Sequence, residues 1–311
     1  MKLASFNRGG HAGIGAVDTA RGEILDLAKA SELRLGQRHP AFASMLALID
    51  AASPGLDAAR KLAARWPAEA AMPLASVRLL APLPEPRQMR DCLTFELHLR
   101  NAIARFEERT GARRPFPDVW FRQPIYYKAN RFSFIGHEAD VIWPRYSNWM
   151  DFELEIAAVI GKTGKDIEPG KATEHIFGFT IFNDFSARDA QYMEMAGQLG
   201  PAKGKDFDTG NALGPWIVTP DEIGDPHALD MEARVNGERW GGGNSRDMHH
   251  KWPAILAHIS SSETLYAGEA IGSGTVGTGC GLELGRQLKH GDIVELEIEG
   301  IGVLRNRVLK P

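Results

Sequence analysis

Two glutamates two residues apart, Glu153 and Glu155, lie in the run Trp149-Met150-Asp151-Phe152-Glu153-Leu154-Glu155-Ile156-Ala157-Ala158-Val159-Ile160-Gly161. Acidic and apolar residues alternate through its first half, the period-two signature of a β-strand, so the two carboxylates share one face. From Ile156 to Ile160 the run is continuously apolar, as in a strand covered on both faces. Ionised carboxylates entering such a run are costly to desolvate unless a cation or hydrogen-bond donors compensate them. A divalent metal ion is the simplest compensation. A strand with a solvated acidic edge competes with it, and an isolated Glu-x-Glu favours that plainer account.

Other groups with chemical potential are scattered. Asp184 closes the apolar run Phe177-Gly178-Phe179-Thr180-Ile181-Phe182-Asn183, at a strand end where a site residue, a helix cap or a turn residue are all reasonable. His98 stands alone in a helical pattern, and Lys203 and Lys205 are the cations of a glycine-rich loop over 200–214. The loop Gly272-Ser273-Gly274-Thr275-Val276-Gly277-Thr278-Gly279-Cys280-Gly281 lacks a G-K-[ST] ending and a convincing following helix. It reads as a close-approach loop rather than a phosphate cradle. The adjacent pair His249-His250 lacks the i, i+4 spacing of zinc ligands and reads as ordinary surface. Cys92 and Cys280 form no C-x-x-C and read as small buried hydrophobes in a reducing compartment.

The elements that must position these groups are mostly strands. Short strands are expected over 14–17 and 23–27, helices over 41–49 and 56–66, and a strand over 77–80 before the proline cluster Pro82, Pro84 and Pro86. That cluster marks the end of a small N-terminal domain, residues 1–85, ahead of a larger one, residues 86–311. A helix is expected over 91–108, then a Pro- and aromatic-rich stretch to about 144 that includes Pro124-Ile125-Tyr126-Tyr127 and should line or cover something. From Asp230 onward the chain reads as strands interrupted by one helix near 252–260. Strands without regular β-α alternation disfavour a doubly wound parallel sheet and give an α+β, mostly β class.

Composition bounds the function. The 311 residues carry 36 basic and 40 acidic side chains, a formal charge of −4, with no dense basic run. Nucleic-acid binding through a basic surface is therefore disfavoured. No apolar signal core or bilayer-length stretch is visible, so a cytoplasmic protein without a membrane partner is expected.

In combination, Asp151-Phe-Glu153-Leu-Glu155, Phe179-Thr-Ile-Phe-Asn-Asp184-Phe-Ser-Ala-Arg-Asp, Gly204-Lys205-Asp-Phe, Arg234-Val-Asn-Gly237, Gly274-Thr275 and the closing 294–308 segment resemble the fumarylacetoacetate hydrolase family. The resemblance covers roughly Asp91 to the C-terminus and implies a mixed β-sandwich or β-roll catalytic domain. It implies Glu153, Glu155 and Asp184 as metal ligands, with Asp91 as a fourth, spaced from His98 as in the mammalian-type members. Such an all-oxygen set suits Mg²⁺ or Mn²⁺, with Ca²⁺ as a less catalytic occupant. The same resemblance makes His98 the general base and Glu283 its orienting carboxylate. In smaller members the partner glutamate follows the histidine by three residues, where this chain has Asn101; Glu96 is a weaker substitute. Lys205 matches the lysine facing the substrate oxygen, Arg188 and Gln191 a substrate-binding pair, and Thr275 a pocket threonine. Met195 replaces a tyrosine, which changes the polarity of the pocket. A homodimer is also expected from the family.

The activity so implied is metal-dependent hydrolysis of a carbon–carbon bond in a β-diketone or acylpyruvate-like acid, with water activated by His98 and Glu283. The same metal-enolate platform supports 2-keto acid decarboxylation, hydration or dehydration, and isomerisation. A non-catalytic metal- or small-molecule-binding protein is the alternative of a different class, disfavoured because every implied position is filled.

Overall fold

The computed structural model describes residues 1–311. A twelve-stranded, mainly antiparallel sheet forms its centre. Its path runs Ala71–Pro73, Glu23–Asp26, His11–Asp18, Lys2–Arg8, Asn211–Val218, Ile176–Asp184, Leu154–Ile160, Ala270–Gly272, Met89–Cys92 and Tyr126–Ala129. The strand Leu154–Ile160 is buried along its whole length, as its continuous apolar run requires. It pairs antiparallel with Ile176–Asp184 on one side and Ala270–Gly272 on the other.

A second sheet of five strands, Glu238–Asn244, Asp230–Val235, Ile293–Ile298, Gly302–Leu309 and Asp140–Ile142, packs against one face of the first. Ile156, Ile181 and Trp216 from the large sheet share a core with Ala233, Leu296 and Leu304 from the small one. Because side chains alternate along a strand, burying Ile156 and Ile181 on that face sends Glu155, Phe182 and Asp184 to the other. The β class and the strand-rich sandwich expected from the sequence are the observed architecture, and no helix is long and apolar enough to cross a membrane.

Residues of the first 85 positions build most of a separate core, including Leu25, Phe42, Leu48 and Leu62. Their strands nevertheless continue the large sheet, since Lys2 and Leu3 pair with Val218 and Ile217. The Asn236-Gly237 turn signal is met: both residues have positive φ, 53° and 80°, between two paired strands.

Several local expectations are corrected. Asp91 begins no helix; it sits in the strand Met89–Cys92, and the helix starts at Glu96 and runs to Thr110, where Gly111 caps it with φ 71°. Parallel pairing of Asp91 with Gly272 outweighs the helical spacing of Leu93 and Leu97. The acidic strand is interrupted: Met150–Asp151 pairs with Ser186–Ala187, and only Leu154–Ile160 joins the large sheet, with Glu153 bridging to Cys280 between them. An unanticipated helix, Leu27–Leu35, opens on Asp26, whose carboxylate accepts from Lys29 N. His250 is buried rather than surface, its Nε2 bonded to the Trp120 carbonyl at 2.7 Å. Both cysteines are free and buried, as read.

Candidate active site

Glu155 and Asp184 lie on paired strands and Asp91 on the next strand but one, across Ala270–Gly272, so three carboxylates from distant segments converge. One ligand atom from each lies within 4.8 Å of the others. Gly272, on the strand between Glu155 and Asp91, makes this approach feasible: a Cβ there would lie 2.4 Å from Asp91 Oδ1 and 2.8 Å from Glu155 Oε2. Gly274 N donates to Glu155 Oε2 at 2.9 Å. Gly274 itself has φ +83°, and a Cβ there would fall 2.5 Å from the Cys92 carbonyl oxygen, so the loop is indeed one of close approach.

Glu153 lies beside this cluster with different partners. Arg188 Nη1 is 2.8 Å from one of its oxygens and Lys205 Nζ is 2.5 Å from the other. Lys205 also donates to Asp184 Oδ2 at 2.6 Å. Arg188, almost fully buried, is further held by Asp151 at 2.8 Å and donates to Gln191 Oε1 at 2.9 Å. Asp151 in turn accepts from Gly281 N and Leu282 N, tying the acidic segment to the turn that carries Glu283.

The charges follow these contacts. Burial pushes the Asp91 carboxyl up to about 6. Burial, followed by the Asp91 charge, raises Glu155 well above the usual carboxylate range. Asp184 is pushed up to about 8 by burial, with the Lys205 ammonium opposing and Glu153 and Asp91 adding to the rise. Glu153 is the exception: burial acts upward, but the Arg188 and Lys205 charges outweigh it and hold the group well below its ordinary value. Burial likewise acts upward on Glu283 and is outweighed by His98, which holds it ionised. Without a cation, then, Asp91, Glu155 and Asp184 can stay together only by keeping protons.

These residues fit a divalent cation on three counts. The donor set is all carboxylate, the choice of a hard ion. Asp91 Oδ1 and Asp184 Oδ1 are buried and lack any hydrogen-bond partner. The absence of a side chain at Gly272 leaves the space between two of the carboxylates open.

His98 is the buried residue of the helix Glu96–Thr110. Its Nδ1 lies 2.8 Å from Glu283 Oε1. The second Glu283 oxygen accepts from Asn101 Nδ2 and Thr278 N, both at 2.8 Å, and Arg105 Nε donates to the Glu283 carbonyl at 3.1 Å. Glu283 is thereby held from two elements. Glu96 points away and pairs with Arg100.

A cavity of about 300 Å³ joins the two groups. Asp91, His98, Glu153, Glu155, Arg188, Gln191, Lys205 and Thr275 all reach its wall, while Asp184 and Glu283 stand behind it. Thr275 Oγ1 is 3.5 Å from Glu155 Oε1. Leu99, Ile103, Ile125 and Met195 make the rest largely apolar.

Three further residues shape the site without a role that the sequence alone reveals. Tyr127 donates its hydroxyl to Asp184 Oδ2 at 2.7 Å, and its place in the aromatic stretch expected to line something was the available signal. Asn101 stands where smaller family members carry the partner glutamate, and here it donates to Glu283 instead. Asp151 was visible in the acidic run, yet its role depends on Arg188, 37 residues on.

Residues 94–309 match the fumarylacetoacetate (FAA) hydrolase C-terminal family. Human mitochondrial oxaloacetate tautomerase FAHD2A is 37% identical over 253 residues, which cover 81% of this chain and 75% of that protein. A fumarylacetoacetate hydrolase from Exiguobacterium antarcticum superposes over 100% of both chains with a TM-score of 0.77 and 29% identity. Maleylpyruvate hydrolase from Sphingobium sp. SYK-6, solved with manganese(II) and pyruvate, superposes over 100% of this chain and 99% of that one, with a TM-score of 0.75 and 25% identity.

Proposed function

Because the chain belongs to the fumarylacetoacetate hydrolase family, we propose that it is a metal-dependent enzyme that hydrolyses a carbon–carbon bond in a β-diketone or acylpyruvate-like acid. The observation that carries this reading is the 2.8 Å contact between His98 Nδ1 and Glu283 Oε1, in a cavity shared with the carboxylate cluster. Asp91, Glu155 and Asp184 would hold the cation, and Glu153 would join them by exchanging its Lys205 contact. A bound Mg²⁺ or Mn²⁺ supplies Lewis acidity to the substrate's oxygens and offsets the negative charge that bond cleavage creates.

The protein's own groups do the rest. Glu283 accepts from Nδ1–H and fixes the tautomer in which Nε2 is free to take a proton from water. The hydroxide so generated adds to the carbonyl remote from the 2-oxo acid end. Lys205, ionised and fully buried, donates to the oxygen on which charge collects. The carbon–carbon bond then breaks, the acyl part leaves as a carboxylic acid, and the proton on His98 passes to the carbon of the other product. Arg188 and Gln191 orient the substrate near the polar end, and the apolar wall accepts the acyl chain.

A second reading is favoured by a specific observation, the 37% identity to a protein named as an oxaloacetate tautomerase. Keto–enol interconversion needs the base and the electrophile, with no attacking water. Chelator-stripped protein, resupplied with Mg²⁺ or Mn²⁺ and offered acylpyruvates and oxaloacetate, separates the two. Hydrolysis yields two products, whereas tautomerisation leaves the carbon skeleton intact.

A further inference from the structure

Beneath the His98–Glu283 contact lies a group the proposed chemistry does not use. Cys280 Sγ is fully buried, 3.4 Å from Glu283 Oε1 and 4.0 Å from His98 Nδ1. One atom from each of His98, Cys280 and Glu283 lies within 4.8 Å of the others, so the chain carries a second potential metal cluster, made of one nitrogen, one sulfur and one oxygen.

We infer that His98, Cys280 and Glu283 form an inhibitory site for a borderline-soft divalent cation of the zinc type. The geometry is close to what such an ion needs. With Zn–N and Zn–O near 2.0–2.2 Å and Zn–S near 2.3 Å, tetrahedral ligation sets N···O at about 3.3 Å and S···N at about 3.6 Å. The observed separations are 2.8 Å and 4.0 Å, so each ligand has to move by only about half an ångström. Donor softness separates the two clusters: Asp91, Glu155 and Asp184 offer only oxygen, whereas imidazole and thiolate select zinc-like ions.

Charge also closes. Binding releases the thiol proton to solvent and leaves a thiolate and a carboxylate around the dication, with the imidazole proton on Nε2. Burial keeps the free Cys280 thiol protonated, and coordination removes that proton outright. The ion takes the nitrogen that otherwise contacts Glu283 and leaves Nε2 protonated, so His98 can no longer accept a proton. Of the three ligands His98 alone reaches the cavity wall, so an ion would enter past its ring.

Co²⁺ added to the purified protein, with Mg²⁺ saturating the carboxylate cluster, tests the site independently of any turnover. The expected result is a thiolate-to-cobalt charge-transfer band that persists in Cys92→Ser and is absent in Cys280→Ser. On an active substrate, Zn²⁺ should inhibit the Mg²⁺-saturated enzyme, and Cys280→Ser should raise the half-inhibiting concentration at least tenfold relative to its own uninhibited rate. No band in the wild type, a band lost in Cys92→Ser instead, or equal Zn²⁺ sensitivity in both proteins would overturn the inference. If the protein turned over none of the acylpyruvates, the cobalt spectrum would still decide it.

Discussion

Asp91 and Glu155 approach each other across Gly272, whose missing side chain leaves room for both carboxylates. Gly272→Ala would put a methyl group 2.4 Å from Asp91 Oδ1 and 2.8 Å from Glu155 Oε2. Neither neighbour is a free surface chain, so the carboxylates must part, at a cost of about 1–3 kcal/mol. The expected outcome is a folded protein whose Mn²⁺ affinity, measured by calorimetric titration, falls at least about tenfold. Unchanged affinity would show that the cation binds elsewhere.

The carboxylate cluster also makes the cation-free protein sensitive to alkali. Asp91 and Asp184 ionise at about 6 and about 8 in the fold, against 3.8 in an unfolded chain. Between these limits the folded state binds more protons, so the stabilisation is complete below the unfolded value and is lost as pH rises through the folded ones. Melting temperatures of chelator-treated protein should fall from about pH 5 to about pH 9, and Mn²⁺ should raise them most at the alkaline end. A cation-free protein that gained stability over this range would contradict the assignment.

Glu283→Gln keeps the shape of the side chain but removes the charge that supports His98 as it gains a proton. Turnover should fall by about a hundredfold with Mn²⁺ affinity unchanged. Asn101→Ala, which removes one of the two donors on Glu283 Oε2, should cost about tenfold or less. Comparing kcat with the metal titration separates this behaviour from loss of the cation.

Lys205 is the ammonium that contacts both Glu153 and Asp184 inside the protein. Lys205→Met leaves Glu153 with Arg188 alone and takes the ammonium away from Asp184, and should cost about 3–5 kcal/mol of stability, read as a lower urea midpoint at constant m value. A divalent cation should restore part of that loss. If the midpoint did not move, the ion pairs would carry no net stabilisation.

Much of the site was legible because local patterns carry it. The period-two alternation put Glu153 and Glu155 on one face, and Asp184 marked the point where an apolar strand gives way to polar residues. What stayed hidden is set by pairing between distant segments. Asp91 belongs to a strand because Gly272 lies beside it in parallel register, which no periodicity in residues 91–108 encodes. The break at Phe152–Glu153 follows from a bridge to Cys280. Tyr127 meets a carboxylate 57 residues away and Asn101 one 182 residues away, and His250 is buried by a carbonyl 130 residues upstream. Position in a motif is a property of the chain; these contacts are properties of the sheet.

In the proposed reaction His98 activates water for a metal-dependent cleavage. The most direct measurement follows loss of diketone absorbance from a panel of acylpyruvates, with chelator-stripped wild type and His98→Ala each titrated with Mn²⁺. Wild-type turnover should return with the metal and yield a carboxylic acid and a 2-oxo acid. His98→Ala should bind Mn²⁺ as well as the wild type and lose about a hundredfold or more in rate. Full turnover by His98→Ala, or metal-restored activity that leaves the carbon skeleton whole, would contradict it.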